Sequence, residues 1–166
     1  MNSSEKRRKK RFLIVFICFL VIVGVVAAYL SVLNIGLKGN PLPARAPMFL
    51  VMLLLGEPES EKYFDETGRT VYVYEDVNIW GEPTHVSYSG FGFLWVDEIH
   101  TSFEPAGDPT MKYNEILSAL QKVYTEEPSS NTEAGVEKHQ TMRRNSNIFF
   151  ITLSDTGLIS LSLYVY

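Results

Sequence analysis

Three histidines, His85, His100 and His139, are the first residues of this chain whose type suits metal binding or proton transfer. His85 and His100 fall on separate predicted strands and could converge beside Asp97 or Glu98. A zinc site takes three or four ligands at recognisable spacings. No such spacing occurs, so the histidines read as exposed strand residues and no metal ligand is assigned. Ser87, Ser89 and Ser102 flank two of them, as a nucleophile flanks its base. The Gly-x-Ser-x-Gly elbow is nevertheless absent, and Ser87-Tyr88-Ser89-Gly90 lacks its strand–turn–helix setting. Asp97 and Glu98 are adjacent carboxylates, which an unbroken strand would point to opposite faces, wrong for an acid–base pair. Gly90-Phe91-Gly92 lacks the remaining glycine and the following helix of a phosphate-binding loop. No catalytic residue and no cofactor site is assigned, no cofactor is expected, and the chain reads as something other than an enzyme.

Aromatic residues carry more information. Tyr72, Tyr74, Trp80, Tyr88, Phe91, Phe93, Trp95 and Phe103 crowd one stretch. On a strand, Val71 and Val73 lie opposite Tyr72 and Tyr74 across the sheet, so one set faces helices and the other faces solvent or a partner. Exposed Tyr and Trp are enriched at interfaces, although aromatics are also ordinary strand formers. The candidate interaction surface is Tyr72, Tyr74, Phe91, Phe93 and Trp95, with the glycine-flanked loop at 90–95 as its tip. Arg143-Arg144, beside Lys138 and His139, reads as a solvated hairpin or a grip for an acidic partner or lipid headgroup.

These residues must be positioned by a chain of 166 residues, 46% hydrophobic and 20% charged, with a net charge of −4. That length suits one domain of about 100–150 residues plus an extra segment. One cysteine excludes a disulfide scaffold, and the acidic balance argues against nucleic acid as a partner. The charge is uneven. Residues 1–11 hold six basic side chains against Glu5, whereas the rest holds nine basic against eighteen acidic. The uncharged run Phe12 to Val32 would reach about 31 Å as a helix, close to the roughly 30 Å hydrocarbon core. It predicts a single-pass transmembrane signal anchor over residues 12–33 that contacts the lipid bilayer. The basic cluster 1–11 would be cytoplasmic, and the C-terminal domain would lie outside the cell membrane. Cleavage after Ala28, as in a signal peptide, is the rival reading. Cys18 lies within the run as a small hydrophobe.

Residues 34–46, with Gly36, Gly39, Pro41 and Pro43, read as a linker. Residues 47–166 read as one α+β domain. Pro47 and Gly56 bracket an apolar octet expected to be a core helix, with a membrane-surface contact as the alternative. Asp65-Glu66-Thr67-Gly68 and Ser154-Asp155-Thr156-Gly157 predict hairpin turns. The strand over 93–103 mixes its periodicity, as a bulged strand would. Asp108-Pro109 opens the clearest helix, with Tyr113, Ile116, Leu117, Leu120, Val123 and Tyr124 on one face.

Leu55-Gly56-Glu57-Pro58 and Tyr124-Thr125-Glu126-Glu127-Pro128 each close a helix and open a β-rich stretch. The two halves, about 47–105 and 106–166, therefore read as α-βββ half-repeats forming one antiparallel sheet with two helices on one face. This order resembles the tandem β-lactamase-inhibitor-protein-like fold. Its related units occur in outer-membrane-assembly lipoproteins of the BamE/SmpA type and in single-pass membrane proteins of Gram-positive bacteria. The phrases that carry the likeness are Leu55 to Pro58, Tyr113 to Pro128 and the Ile148 to Tyr164 hairpin. The resemblance implies action by binding other proteins, often through an aromatic-rich sheet face. The chain lacks the lipoprotein cysteine and the disulfides of secreted inhibitors, and no family site residue carries over. The resulting expectation is a membrane-anchored, extracytoplasmic, non-catalytic protein-binding module with a protein partner in the cell envelope. The alternative is a sensor or binding domain for a small molecule, lipid or envelope polymer.

Overall fold

The structure, a computed structural model, describes residues 11–25, 35–42, 45–92, 95–128 and 135–166. Contacts divide the chain into two units, Met1–Val32 and Leu33–Tyr166. In the first unit, residues 11–25 form a helix, α1, whose side chains are all exposed.

The expected membrane span is corrected at this point. Over its described residues α1 rises about 22 Å, against the roughly 30 Å of a bilayer core. Among the described residues no helix is long and apolar enough to cross a membrane. The remainder of the apolar run, and the cleavage point at Ala28, lie outside the described residues. The signal anchor, the single-pass topology and the extracytoplasmic, cell-membrane localisation all rested on that span and fall with it.

The second unit is α+β. A 3-10 turn at Ile35–Leu37 precedes helix α2 (Met48–Leu55). Four strands follow, namely β1 (Ser60–Phe64), β2 (Arg69–Ile79), β3 (Glu82–Phe91) and β4 (Val96–Phe103). After helix α3 (Pro109–Leu120) come β5 (Thr125–Glu127), β6 (Val136–Arg144), β7 (Asn147–Ser154) and β8 (Ile159–Tyr164). All eight strands make one antiparallel sheet in the order β1-β2-β3-β4-β8-β7-β6-β5. Each half is thus a helix followed by a four-strand meander rather than the expected three. In the second half the added strand is β5, three residues beside Pro128 that are too short to show a period. The halves join where β4 pairs with β8.

Strand alternation sorts the sheet into two faces. One row of the covered face runs Tyr72, Tyr88, Ile99, Leu163, Phe149, Met142 across six strands, and every member is buried. Ile116 and Leu120 of α3 and Met48 and Val51 of α2 complete this core. Asp108 caps α3 by accepting from the Met111 amide at 3.0 Å, as the Asp-Pro signal predicts. The α2 octet is less buried than expected for a core helix. It is apolar all round, and Phe49, Leu53 and Leu54 are exposed.

Residues 35–42 and 45–46 also depart from the linker reading. Leu37, Leu42 and Ala46 are buried, and the Trp80 indole donates to the Gly36 carbonyl at 2.9 Å. At Gly36 a Cβ would sit 2.5 Å from both Leu120 and Phe149, so only glycine lets the segment lie this close to the core.

Candidate functional site

The site is built at the β3–β4 turn. β4 carries one extra residue here. Ser89 pairs with Glu98 and Gly90 with Val96, which leaves Asp97 unpaired in a bulge. The bulge cancels the expected alternation of Asp97 and Glu98 and turns both carboxylates onto Arg69. Arg69 Nη2 lies 2.6 Å from Asp97 Oδ1 and 3.2 Å from Glu98 Oε2, and Nη1 reaches Asp97 Oδ2 at 3.2 Å. Its Nε and Nη2 also donate to Ser89 Oγ at 3.1 and 2.8 Å. One bidentate guanidinium thereby ties β2, β3 and β4 together.

Gly90 permits the turn that follows. A Cβ there would stand 2.1 Å from the Trp95 carbonyl oxygen. The Arg69 guanidinium lies 5.0 Å over the Phe91 ring, and register places Phe64, Arg69 and Phe91 in one cross-strand row. Phe91 is 53% and Trp95 56% exposed. On the far side, the Arg45 amide donates to Val96 O at 2.9 Å and the Val96 amide donates to Ala46 O at 2.8 Å. Arg45 is held at φ 67, a left-handed conformation that an arginine rarely adopts. Its guanidinium donates to the Tyr166 carbonyl.

These groups enclose an open cleft with two lobes. The larger, about 590 Å³, is lined by Arg45, Phe91, Trp95, Val96, Asp97, Val165 and Tyr166. The smaller, about 460 Å³, shares Phe91, Asp97, Val165 and Tyr166 with it and adds Arg69, Glu98 and Tyr164. Burial, and then the neighbouring Glu98 carboxylate, push the Tyr164 hydroxyl up to about 12. The walls are mainly apolar, and the charges lining the smaller lobe are already paired with one another. The arrangement suits an apolar or aromatic group inserted between Arg45 and the paired Arg69–Asp97–Glu98 cluster. It assembles no nucleophile with a base.

The five residues assigned to an interaction surface separate. Phe91 and Trp95 line the cleft. Phe93 lies outside the described residues. Tyr72 and Tyr74 are on the covered face, 0% and 3% exposed, and are corrected to core residues. Val71 and Val73, their alternates, face outward because the tyrosines reach under α2, where Tyr74 donates to the Gly56 carbonyl at 3.1 Å. Arg45, Arg69, Tyr164 and Tyr166 are the cleft residues that sequence reasoning passed over. No local spacing links them, and the glycines at 90 and 92 were the one signal that marked the place.

All three histidines sit on the open face of the sheet. His100 Nδ1 is 2.6 Å from Ser162 Oγ, His139 Nδ1 is 3.1 Å from Thr152 Oγ1, and His85 lies 4.0 Å from Glu75. Ser162 is in an interior strand paired on both sides, so its neighbouring amides are engaged and no donor pair faces a developing oxyanion. Among the described residues no group of three His, Cys, Asp or Glu is placed to hold a metal ion. Arg143 is paired with Glu127.

No family model matches the chain, and neither a curated protein nor a solved structure matches it.

Proposed function

We propose that the domain is a non-catalytic protein-binding module whose partner inserts an apolar side chain into the cleft beside Trp95. The observation that carries this reading is the pair of half-exposed aromatics, Phe91 and Trp95, at the mouth of an apolar cleft framed by Arg45 and Arg69. Trp, Tyr and Arg dominate the residues whose truncation costs most at interfaces. The bulge and the Arg69 clamp hold the turn in place beforehand, which lowers the ordering cost of binding. The proposed likeness to β-lactamase-inhibitor-protein-like domains, which act by binding proteins, points the same way.

A second reading, a small-molecule binding domain, draws on the volume of the larger lobe, which falls within the roughly 300–1,000 Å³ of ligand sites.

The test is crosslinking capture with the full chain carrying a photoreactive side chain at position 166, which lines both lobes, in the wild-type background and in a Phe91→Ala/Trp95→Ala double variant. Loss of a hot-spot anchor costs about 2 kcal/mol or more, roughly thirtyfold in affinity. The double variant should therefore lose capture while keeping the wild-type melting temperature. Undiminished capture by the double variant would refute the cleft as the interface. A thermal shift with small molecules and no protein captured at position 166 would favour the second reading.

A further inference from the structure

The two edges of the sheet are finished differently. β5 is three residues long, and its Glu127 is occupied twice, by the Arg143 guanidinium and by Gln140 Nε2 on its carbonyl at 3.0 Å. β1 is longer, pairs among the described residues only with β2, and all five of its residues are exposed. Tyr63 and Phe64 are among the exposed large hydrophobics. An open strand edge offers a row of backbone donors and acceptors to any extended chain.

The ground around that edge carries one sign of charge. Residues 57–76 hold Glu57, Glu59, Glu61, Asp65, Glu66, Glu75 and Asp76, every one exposed. Arg69 is already committed to Asp97 and Glu98, which leaves Lys62 as the uncommitted cation of the stretch. Among the described residues the one ion-pair contact of these seven carboxylates is Glu75 with His85 at 4.0 Å.

The same charges disfavour a second copy of this chain as the occupant. Two-fold pairing of β1 with another β1 keeps each side chain opposite one of the same face. Centred on Glu61 it sets glutamate against glutamate, and centred on Lys62 it sets lysine against lysine. Centred on Tyr63 it runs at once into the turn at 65–68.

We propose that the free edge of β1 accepts an extended, lysine- or arginine-rich segment of a partner protein, which adds to the sheet as a further antiparallel or parallel strand. Backbone pairing supplies the attachment and the surrounding carboxylates select the charge. This surface is separate from the cleft and does not depend on it.

The probe is a fluorescent synthetic peptide of roughly eight residues alternating lysine and valine, a length matched to one strand. Its controls are a glutamate–valine peptide and a lysine–valine peptide with proline at alternate positions. Fluorescence anisotropy with the full chain should show binding of the lysine peptide alone. Affinity should fall about tenfold or more for Glu59→Lys/Glu61→Lys and at roughly 0.5 M salt, where the Debye length shrinks to a few ångströms. Hydrogen exchange should show new protection of the β1 amides, which mere charge attraction would not produce. Phe91→Ala/Trp95→Ala should bind the peptide like wild type. Equal binding of the proline peptide, binding without β1 protection, or sedimentation showing dimers joined at β1 would overturn the proposal.

Discussion

The two halves of the sheet share strand order and differ in what fills them. Beneath α2 the covered face is phenolic, built from Tyr72, Tyr74 and Tyr88, whereas beneath α3 it is Phe149, Ile151, Leu153, Ile159, Leu161 and Leu163. Hydrocarbon asks only for volume, but each tyrosine also brings a hydroxyl, which is costly to bury without a partner. Tyr88 donates to Asn40 Oδ1 at 2.6 Å and Tyr74 to the Gly56 carbonyl. The first half is therefore fastened by hydroxyls to the segments that cross it, while the second is held by packing. The helices follow suit. α3 is amphipathic and capped, and α2 is a short apolar plug bounded by Pro47 and Gly56. One architecture is met by two chemistries, and the cleft opens where they meet, between the β3–β4 turn of the first half and Tyr164, Val165 and Tyr166 of the second.

The largest expected effect lies in the packed half. Phe149→Ala empties a fully buried site against Gly36, Leu120 and Tyr124 and should cost about 3–5 kcal/mol. Because β4 and β8 join the halves, denaturation of this variant should remain one transition by fluorescence and circular dichroism alike. Two separated transitions would show the halves to be independent, and the contrast between them would then be one between two domains.

A smaller effect sharpens the phenolic side. Tyr88→Phe removes a made hydrogen bond and should destabilise by about 0.5–1.5 kcal/mol. Tyr72 has a buried hydroxyl without a hydrogen-bond partner, so Tyr72→Phe should be neutral or stabilising by about 1 kcal/mol. Chemical denaturation of the two variants side by side checks this. Equal losses in both would mean that the hydroxyls do not fasten the first half.

The smallest effect is at the seam. Burial holds His100 below the ordinary histidine range. Neighbouring Glu98 opposes that shift and His85 adds to it, while Ser162 Oγ contacts the ring. The unfolded chain therefore takes up this proton first. The contribution is intact above the unfolded value of about 6.5 and is lost as pH falls through it towards the folded value. His100→Gln should shrink the stability difference between about pH 7.5 and about pH 5.5. An unchanged difference would place the pH sensitivity elsewhere.

Local chemistry made much of this fold legible. Asp108-Pro109 announced α3, the Thr-Gly turns announced two hairpins, and the mixed periodicity of 93–103 announced the bulge now placed at Asp97. What local chemistry could not supply was the side of each strand that is covered. Val71 and Val73 alternate with Tyr72 and Tyr74, and both sets suit a core. The choice was made by α2 and by Gly56, which are distant in sequence from the strand they cover. The cleft was half legible for a similar reason. Phe91 and Trp95 belong to one turn, but Arg45, Arg69 and Tyr166 reach it only through the sheet. Over 35–42 and 45–46 the linker reading failed because glycine there serves close packing rather than freedom.

The seam between β4 and β8 also sets a timetable. Its pairs, from Glu98–Tyr164 to Phe103–Ile159, bring together residues about sixty positions apart, so this contact cannot form until the final strand is made. A ribosome adding about 5–20 residues per second leaves the first meander waiting roughly 3–12 s with β4 as a bare margin. The most central strand of the finished sheet thus spends its first seconds as the most exposed one. A nascent chain stalled before β8 would present that margin to chaperones, or to another unfinished copy.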